Sequence, residues 1–290
     1  MKKKILANIG ILLALVSACF YAFNVIIEKK YIDKISSEKI LFLMYLGAGI
    51  GLYFIHLLIR KKYKEKENKI TKKEIPKIVT IVVCELFASF FIIEAVKNID
   101  ASLVSLLSIF EIIMTSLFAY LILKDPIEKN ELIAIILVLM GSFILNFKND
   151  ILSTISINSI LVILACLFWG IENNLTAAIS SKEPAFFTSI KCSAVSLLYF
   201  ILVIIENDFT ISYPILALFG FFSYGISILT YAISTKYIGA SKATLVFSFS
   251  PIFGVLLAFL IYGEKITFTF LLSALLMILG ILFMNYKIKK

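Results

Sequence analysis

The chain has 290 residues, 61% hydrophobic and 16% charged, with a mean hydropathy of +1.00. A water-soluble protein of this length cannot cover that much apolar surface with so few charges, so composition excludes a soluble globule and points to the bilayer. The net charge of +9 is read below as a signal of membrane orientation; no nucleic-acid partner is implied.

Ten apolar stretches follow in chain order, at about 5–27, 40–59, 78–96, 103–123, 132–147, 157–180, 185–205, 214–235, 243–262 and 268–286. A helix needs roughly 20 residues to cross the hydrocarbon. The runs are continuous instead of alternating, which argues against a β-barrel. The predicted fold is an all-α integral membrane protein with ten transmembrane helices.

The first stretch follows Met1-Lys2-Lys3-Lys4, and Val16-Ser17-Ala18-Cys19 resembles a lipoprotein cleavage box. The apolar run continues through Ile27, so this stretch is read as an uncleaved first helix. It carries Ser17, Tyr21, Asn24 and Glu28 on one helical face. The second stretch places Gly47 and Gly51 at the spacing of close helix packing, and the single histidine, His56, near its end. The polar segment from Arg60 to Lys77 is too short for a soluble domain. In the third stretch lie Glu85 and Glu94, the latter close enough to the end of the span to reach interfacial water.

The fourth stretch puts Ser108, Glu111 and Thr115 on one face near the bilayer midplane. In the sixth, Trp169, Glu172, Asn173 and Thr176 share a face. An ionised side chain at mid-bilayer costs about 2.5–3.5 kcal/mol on insertion scales, so such groups normally face a cavity or a partner. Each stripe is also compatible with a polar helix–helix contact that never meets a solute. Lys191, in the seventh stretch, starts roughly 10 Å inside the membrane by helical rise. Its long stem is expected to carry the ammonium back to the cytoplasmic interface, with Glu85 as an alternative partner.

The eighth stretch holds Ser223, Ser227, Thr230 and Ser234 on one face with Tyr224 and Tyr231 nearby; the ninth holds Thr244 and Ser248 ahead of Pro251. Membrane Ser and Thr commonly bond their own backbone. Pro251 is expected to break the hydrogen-bond ladder of the ninth helix, as a static kink or a hinge. The fifth and tenth stretches are almost wholly apolar and read as scaffold facing lipid or another subunit.

Residues 99–148 recur without a gap at 238–287, with 16 of 50 positions identical, among them Gly141/Gly280 and Asn146/Asn285. Five helices per half is an odd number, so the two copies must insert in opposite orientations. The expected arrangement is two inverted five-helix repeats, 1–148 and 149–290, forming one transport domain with a solute site between them near the midplane. Sorting Lys and Arg by predicted side gives 20 cytoplasmic against 7 outside, with Lys191 in a span. This bias puts both termini in the cytoplasm. Lys occurs 27 times and Arg once, a usage that points to an AT-rich bacterial source.

Ala240-Ser241, Phe249-Ser250-Pro251, Gly263-Glu264 and Gly280, with the aromatic–small pairs Phe20-Tyr21-Ala22 and Phe168-Trp169-Gly170, resemble the EamA-like branch of the drug/metabolite transporter superfamily along nearly the whole chain. The resemblance implies a carrier in the cytoplasmic membrane that moves small metabolites by alternating access, commonly exporting amino acids or related compounds and in some members importing vitamins or other solutes. The first half departs from the pattern: Glu111 stands opposite Ser250, Ile112 opposite Pro251 and Asp125 opposite Glu264.

The expected function is a secondary carrier for a small metabolite, with vitamin or nucleoside import and proton-coupled efflux of cationic drugs as alternatives. Candidate solute-binding residues are Tyr21, Asn24, Glu94, Ser108, Glu111, Trp169, Glu172, Asn173, Tyr224, Tyr231 and Ser248; Glu111, Glu172 and Pro251 are candidates for coupling or gating. No phosphate-binding loop is present, which excludes primary ATP-driven transport by this chain. One histidine and no acid–histidine cluster argue against an intramembrane enzyme. The four cysteines form no CxxC pair and no metal-ligand spacing occurs, so neither a metal nor a cofactor is expected. The working unit is a monomer or a homodimer.

Overall fold

The computed structural model describes residues 2–32, 34–62, 69–98, 107–108, 110–124, 128–146, 157–205, 213–262 and 267–285. Every regular element of two or more residues among them is helical: α1 (Lys2–Tyr31), α2 (Ser37–Lys62), α3 (Ile75–Asn98), α4 (Phe110–Leu123), α5 (Lys129–Asn146), α6 (Ile157–Ile179), α7 (Pro184–Ile205), α8 (Ile215–Ile238), α9 (Ala240–Phe247), α10 (Ser250–Tyr262) and α11 (Phe268–Asn285). Residues Phe221–Ile226 of α8 form a π-helical turn.

Six described helices carry segments long and apolar enough to cross a membrane: Ile5–Asn24, Ser37–Arg60, Ile75–Ile92, Ser159–Ile179, Pro184–Ile205 and Ile215–Ile238. Phe110–Leu123 and Phe268–Phe283 are shorter apolar helices. Large apolar side chains such as Phe54, Leu58, Leu197, Leu260 and Phe268 face outward, while Ser17, Glu85, Glu172, Asn173 and Lys191 are buried. Polar groups inside and apolar groups outside suit a multi-pass protein solvated by lipid.

The stretch expected at 243–262 is not one helix. It divides between α9 and α10 at Ser248 and Phe249. Pro251 is therefore the second residue of α10, where its missing N–H costs no intrahelical bond, and it does not interrupt a helix from within. In the earlier copy a helix also starts just after a turn, with Ile112 at the position equivalent to Pro251. Ser108 lies in a turn and α4 starts at Phe110, one position from the equivalent start after the 139-residue offset. Residues 99–106 of that stretch, together with Asp125 and Glu264, lie outside the described residues.

The helices pack in pairs that the repeat interchanges. α2 packs on α7, and α5 on α11; α3 on α6 corresponds to α8 on α1; α4 on α6 corresponds to α10 on α1. The α5–α11 contact carries the matched glycines. A first side-chain carbon at Gly141 would sit 2.9 Å from the Ser273 carbonyl oxygen, and one at Gly280 would sit 3.0 Å from that of Ala134. Ser273 and Ala134 are themselves repeat equivalents. The pairings 141–273 and 134–280 run in opposite directions, so α5 and α11 are antiparallel. Ser273 adds a hydroxyl bond to the Gly141 carbonyl at 2.5 Å.

α1 and α8 are antiparallel too. Ser234 donates to the Gly10 carbonyl at 2.7 Å, and Ser17 and Ser227 each donate to the other's carbonyl at 2.8 and 3.0 Å. Gly47 and Gly51 face Ala217 and Phe221 of α8 at distances only a hydrogen can occupy. That close-packing face is used within the chain.

Candidate functional site

Three helices bring three ionisable groups together inside the bundle. Lys191 Nζ on α7 lies 3.1 Å from Glu85 Oε2 on α3 and 3.2 Å from Glu172 Oε1 on α6. Lys191 is 4% exposed and both acids 5%, so the ammonium does not snorkel to the cytoplasmic surface as its position in α7 predicts. Two carboxylates, each holding a further hydrogen bond, offset the desolvation of the buried ammonium. Each acid has a further donor. Tyr45 on α2 donates to Glu85 Oε1, and Thr176 donates to Glu172 Oε1 at 2.8 Å. Ser89 donates to the Glu85 carbonyl at 2.6 Å and receives the Tyr199 hydroxyl at 2.7 Å.

One residue along α6, the side chain of Asn173 turns toward a different set of groups. Its Nδ2 donates to Glu111 Oε1 at 2.9 Å and to Thr115 Oγ1 at 3.2 Å, both on α4, and reaches Thr244 Oγ1 on α9 at 3.5 Å. Thr244 and the Tyr231 hydroxyl are 2.6 Å apart. Close approach of α4 and α6 allows this: a side-chain carbon at Gly170 would meet Met114 Cβ at 2.8 Å. Asn174 fastens the same crossing by donating to the carbonyls of Thr115 and Gly170 at 2.9 and 2.8 Å.

Aromatic side chains complete a circuit. Tyr231 meets Phe247 edge-on at 5.6 Å, Phe247 meets Tyr21 at 5.1 Å, and Tyr21 meets Tyr224 at 6.2 Å. Tyr224 stacks on Tyr45 at 4.8 Å, and Tyr45 leads back to Glu85. The circuit draws on α1 to α4 and on α6 to α9. With its acids and lysine ionised it holds three negative charges against one positive. Rings, carboxylates, an ammonium and an amide together suit a small solute with a charged head and an apolar body.

Other candidates are distributed unevenly. Trp169 is half-buried, one turn from Glu172 and Asn173, and Glu94 is half-buried farther along α3. Asn24 is buried with neither amide atom hydrogen-bonded within the described residues. In the α1–α8 register it stands opposite Gly220, where the π-helical turn begins. Ser248 bonds its own backbone at Leu245, 2.6 Å away, and Ser223 and Thr230 do the same at Phe219 and Ile226. Ser108 sits in the turn before α4, and its carbonyl accepts from Glu111 N at 3.0 Å. The side chains of Glu28 and Pro251 lie outside the described residues.

Glu85, Lys191, Tyr45 and Thr244 join the site in the structure without being among the solute-binding candidates that the sequence offers. The signal for the first two was present as charge inside an apolar stretch; the depth of Tyr45 and Thr244 has no such mark. A second buried cluster has no mark in the sequence either. Glu131 at the start of α5 accepts from Ser241 of α9, whose hydroxyl is 2.7 Å from that of Ser116 on α4. Among the described residues the four cysteines are free thiols, and no group of three or more His, Cys, Asp and Glu could hold a metal ion.

The sequence matches the EamA-like transporter family twice, over residues 8–147 and again over 156–286. It is 23% identical over 290 residues to a protein of Methanothermobacter thermautotrophicus described as an uncharacterized transporter, covering 94% of this chain and 84% of that protein. A protein solved by crystallography superposes with a TM-score of 0.78 at 12% identity, over 95% of this chain and 98% of that one. That likeness is one of fold.

Proposed function

Since the chain belongs to the EamA-like transporter family, whose members sit within the drug/metabolite transporter superfamily, we propose that it is an alternating-access secondary carrier that exports amino acids or related compounds. The observation that carries this reading is the Asn173 hub, where α4 of the first family match meets α6 and α9 of the second. A group that ties two repeats together at a buried charge can bind a solute and report its presence to both. An α-amino acid offers an ammonium for Glu111 and a carboxylate for the Asn173 amide, while Tyr21, Tyr224 and Tyr231 receive its apolar part.

In this reading the chain crosses the membrane ten times as two inverted repeats, 1–148 and 149–290. The antiparallel pairing of α5 with α11 supports the inversion, because equivalent helices of inverted repeats run in opposite directions. Both termini lie in the cytoplasm, the carrier resides in the cytoplasmic membrane of a bacterium, and it works as a monomer or homodimer.

The excess of carboxylate over ammonium favours a second reading, proton-coupled efflux of a cationic compound. Counterflow in proteoliposomes distinguishes the two. The amino-acid reading requires saturable uptake of a labelled amino acid, accelerated by the same amino acid inside and lost in Glu111→Gln with Glu172→Gln. Counterflow of labelled organic cations alone selects the second reading. Flux that neither saturates nor responds to internal solute defeats the carrier reading altogether.

A further inference from the structure

We infer that Lys191 is a tethered counter-cation: its ammonium fills the place between Glu85 and Glu172 that a free cation would otherwise occupy, so the carrier needs no bound inorganic ion to hold these carboxylates together. The geometry is that of an ion between two carboxylate ligands. Nζ sits 3.1 Å from an oxygen of one acid and 3.2 Å from an oxygen of the other, and the two acids belong to different repeats, Glu85 to the first family match and Glu172 to the second.

Two carboxylates this deep repel each other across the interface between the repeats unless a positive charge lies between them. A mobile ion can supply that charge, but it must be captured from water and can be lost to it. An ammonium on a covalent stem supplies it at high effective concentration without a capture step. The surrounding hydroxyls fit this role. Tyr45 and Thr176 each donate to one of the two acids, so the acids are held as acceptors, and Lys191 is the one cation bridging them among the described residues.

The inference has a chemical consequence. Shortening Lys191 to Ala removes the γ, δ and ε methylenes and the ammonium, leaving a space shaped like n-propylammonium beside two carboxylates. A free ammonium should then replace the tethered one. The apparent melting temperature of purified Lys191→Ala protein is measured at fixed pH and ionic strength in n-propylammonium, methylammonium, sodium, choline or tetramethylammonium chloride. The expected result is a saturable rise of several degrees with n-propylammonium, a smaller one with methylammonium or sodium, and none with choline or tetramethylammonium, which donate no N–H bond. The wild-type protein should not respond, and Glu85→Gln with Glu172→Gln should abolish the response of Lys191→Ala.

Lys191→Met is the second variant. It keeps the bulk of the stem and leaves room only for a small ion, so sodium should rescue it better than n-propylammonium does. Recovery of either variant only in the presence of its matching cation supports the inference. A folded variant indifferent to every cation overturns it, because the carboxylates then manage without one. Aggregation of both variants in every salt overturns it too, since a free cation then cannot substitute. Only the consequence for flux, transport that becomes cation-dependent without Lys191, rests on the carrier reading. Melting reports occupancy, so that reading can fail while the cation site stands.

Discussion

Asn173 on α6 donates to Glu111 on α4 at 2.9 Å, so a neutral amide and a carboxylate meet across the two repeats. An amide is the right partner because it donates without adding charge. Replacing Asn173 by Asp keeps the shape and turns a donor into a second carboxylate at the same distance, where two like charges cannot both ionise cheaply. Asn173→Asp should therefore lower counterflow rates more than Asn173→Ala does. The expected losses are on the order of 10-fold for Ala, about 1.4 kcal/mol, and severalfold more for Asp. Equal rates for the two variants would show that Glu111 carries no charge that matters to transport.

Tyr45 and Tyr199 stand on either side of Glu85 and make a controlled comparison. Tyr45 bonds the carboxylate itself, whereas Tyr199 bonds Ser89, which in turn bonds the Glu85 carbonyl. Hydrogen bonds to charged groups contribute about 1.5–3 kcal/mol and neutral ones about 0.5–1.5 kcal/mol. Tyr45→Phe should lower the melting temperature more than Tyr199→Phe, with the ring stack on Tyr224 preserved. A double-mutant cycle of Tyr45→Phe with Glu85→Gln should show coupling, and additive effects would mean that the hydroxyl does not stabilise the acid.

These contrasts also mark what could be read from the chain. The repeat at offset 139 marks Gly141 and Gly280 as equivalent, but the fifth and tenth stretches read as scaffold facing lipid or another subunit, and their packing on each other within the chain is visible only in the structure. The acids of the fourth and sixth stretches stand out because charge inside an apolar run is costly wherever the helix goes. The fate of Lys191 was not legible in the same way. Snorkelling and ion pairing differ only in which neighbours α7 meets, and Glu85 and Lys191 are 106 positions apart. Pro251 fits equally well inside a helix as a kink or in its first turn as a start. The break ahead of it becomes visible only with the backbone, and α4 likewise starts just after the turn at Ser108, with isoleucine in place of the proline.

Gly141 and Gly280 should respond alike to substitution because their surroundings are interchanged by the repeat. A methyl group at either would come within about 3 Å of a backbone carbonyl on the facing helix, and neither helix can yield without disturbing the other. Overpacking of this kind costs typically 1–3 kcal/mol. Gly141→Ala and Gly280→Ala should each lower the melting temperature by a similar amount. The double variant should fall short of the sum, since one separation of α5 from α11 relieves both clashes. Full additivity would indicate that the two contacts are independent.

Ser116 on α4 and Ser241 on α9 bring their hydroxyls within 2.7 Å at the end of the bundle where Glu131 begins α5. The two helices belong to different family matches, and Ser241 lies beside Lys242, which the proposed topology puts on the cytoplasmic side. If the repeats part there when the site opens inward, α4 and α9 must separate. Cysteines at 116 and 241, in a protein whose four native cysteines have been replaced, are close enough for a disulfide once small backbone adjustments are allowed. Oxidation should join them, reduce counterflow to the level of empty liposomes, and be reversed by dithiothreitol. Cross-linked protein, confirmed by mass, that transports at the rate of its reduced form would place the moving contact elsewhere and leave the Glu131 cluster as a fixed joint.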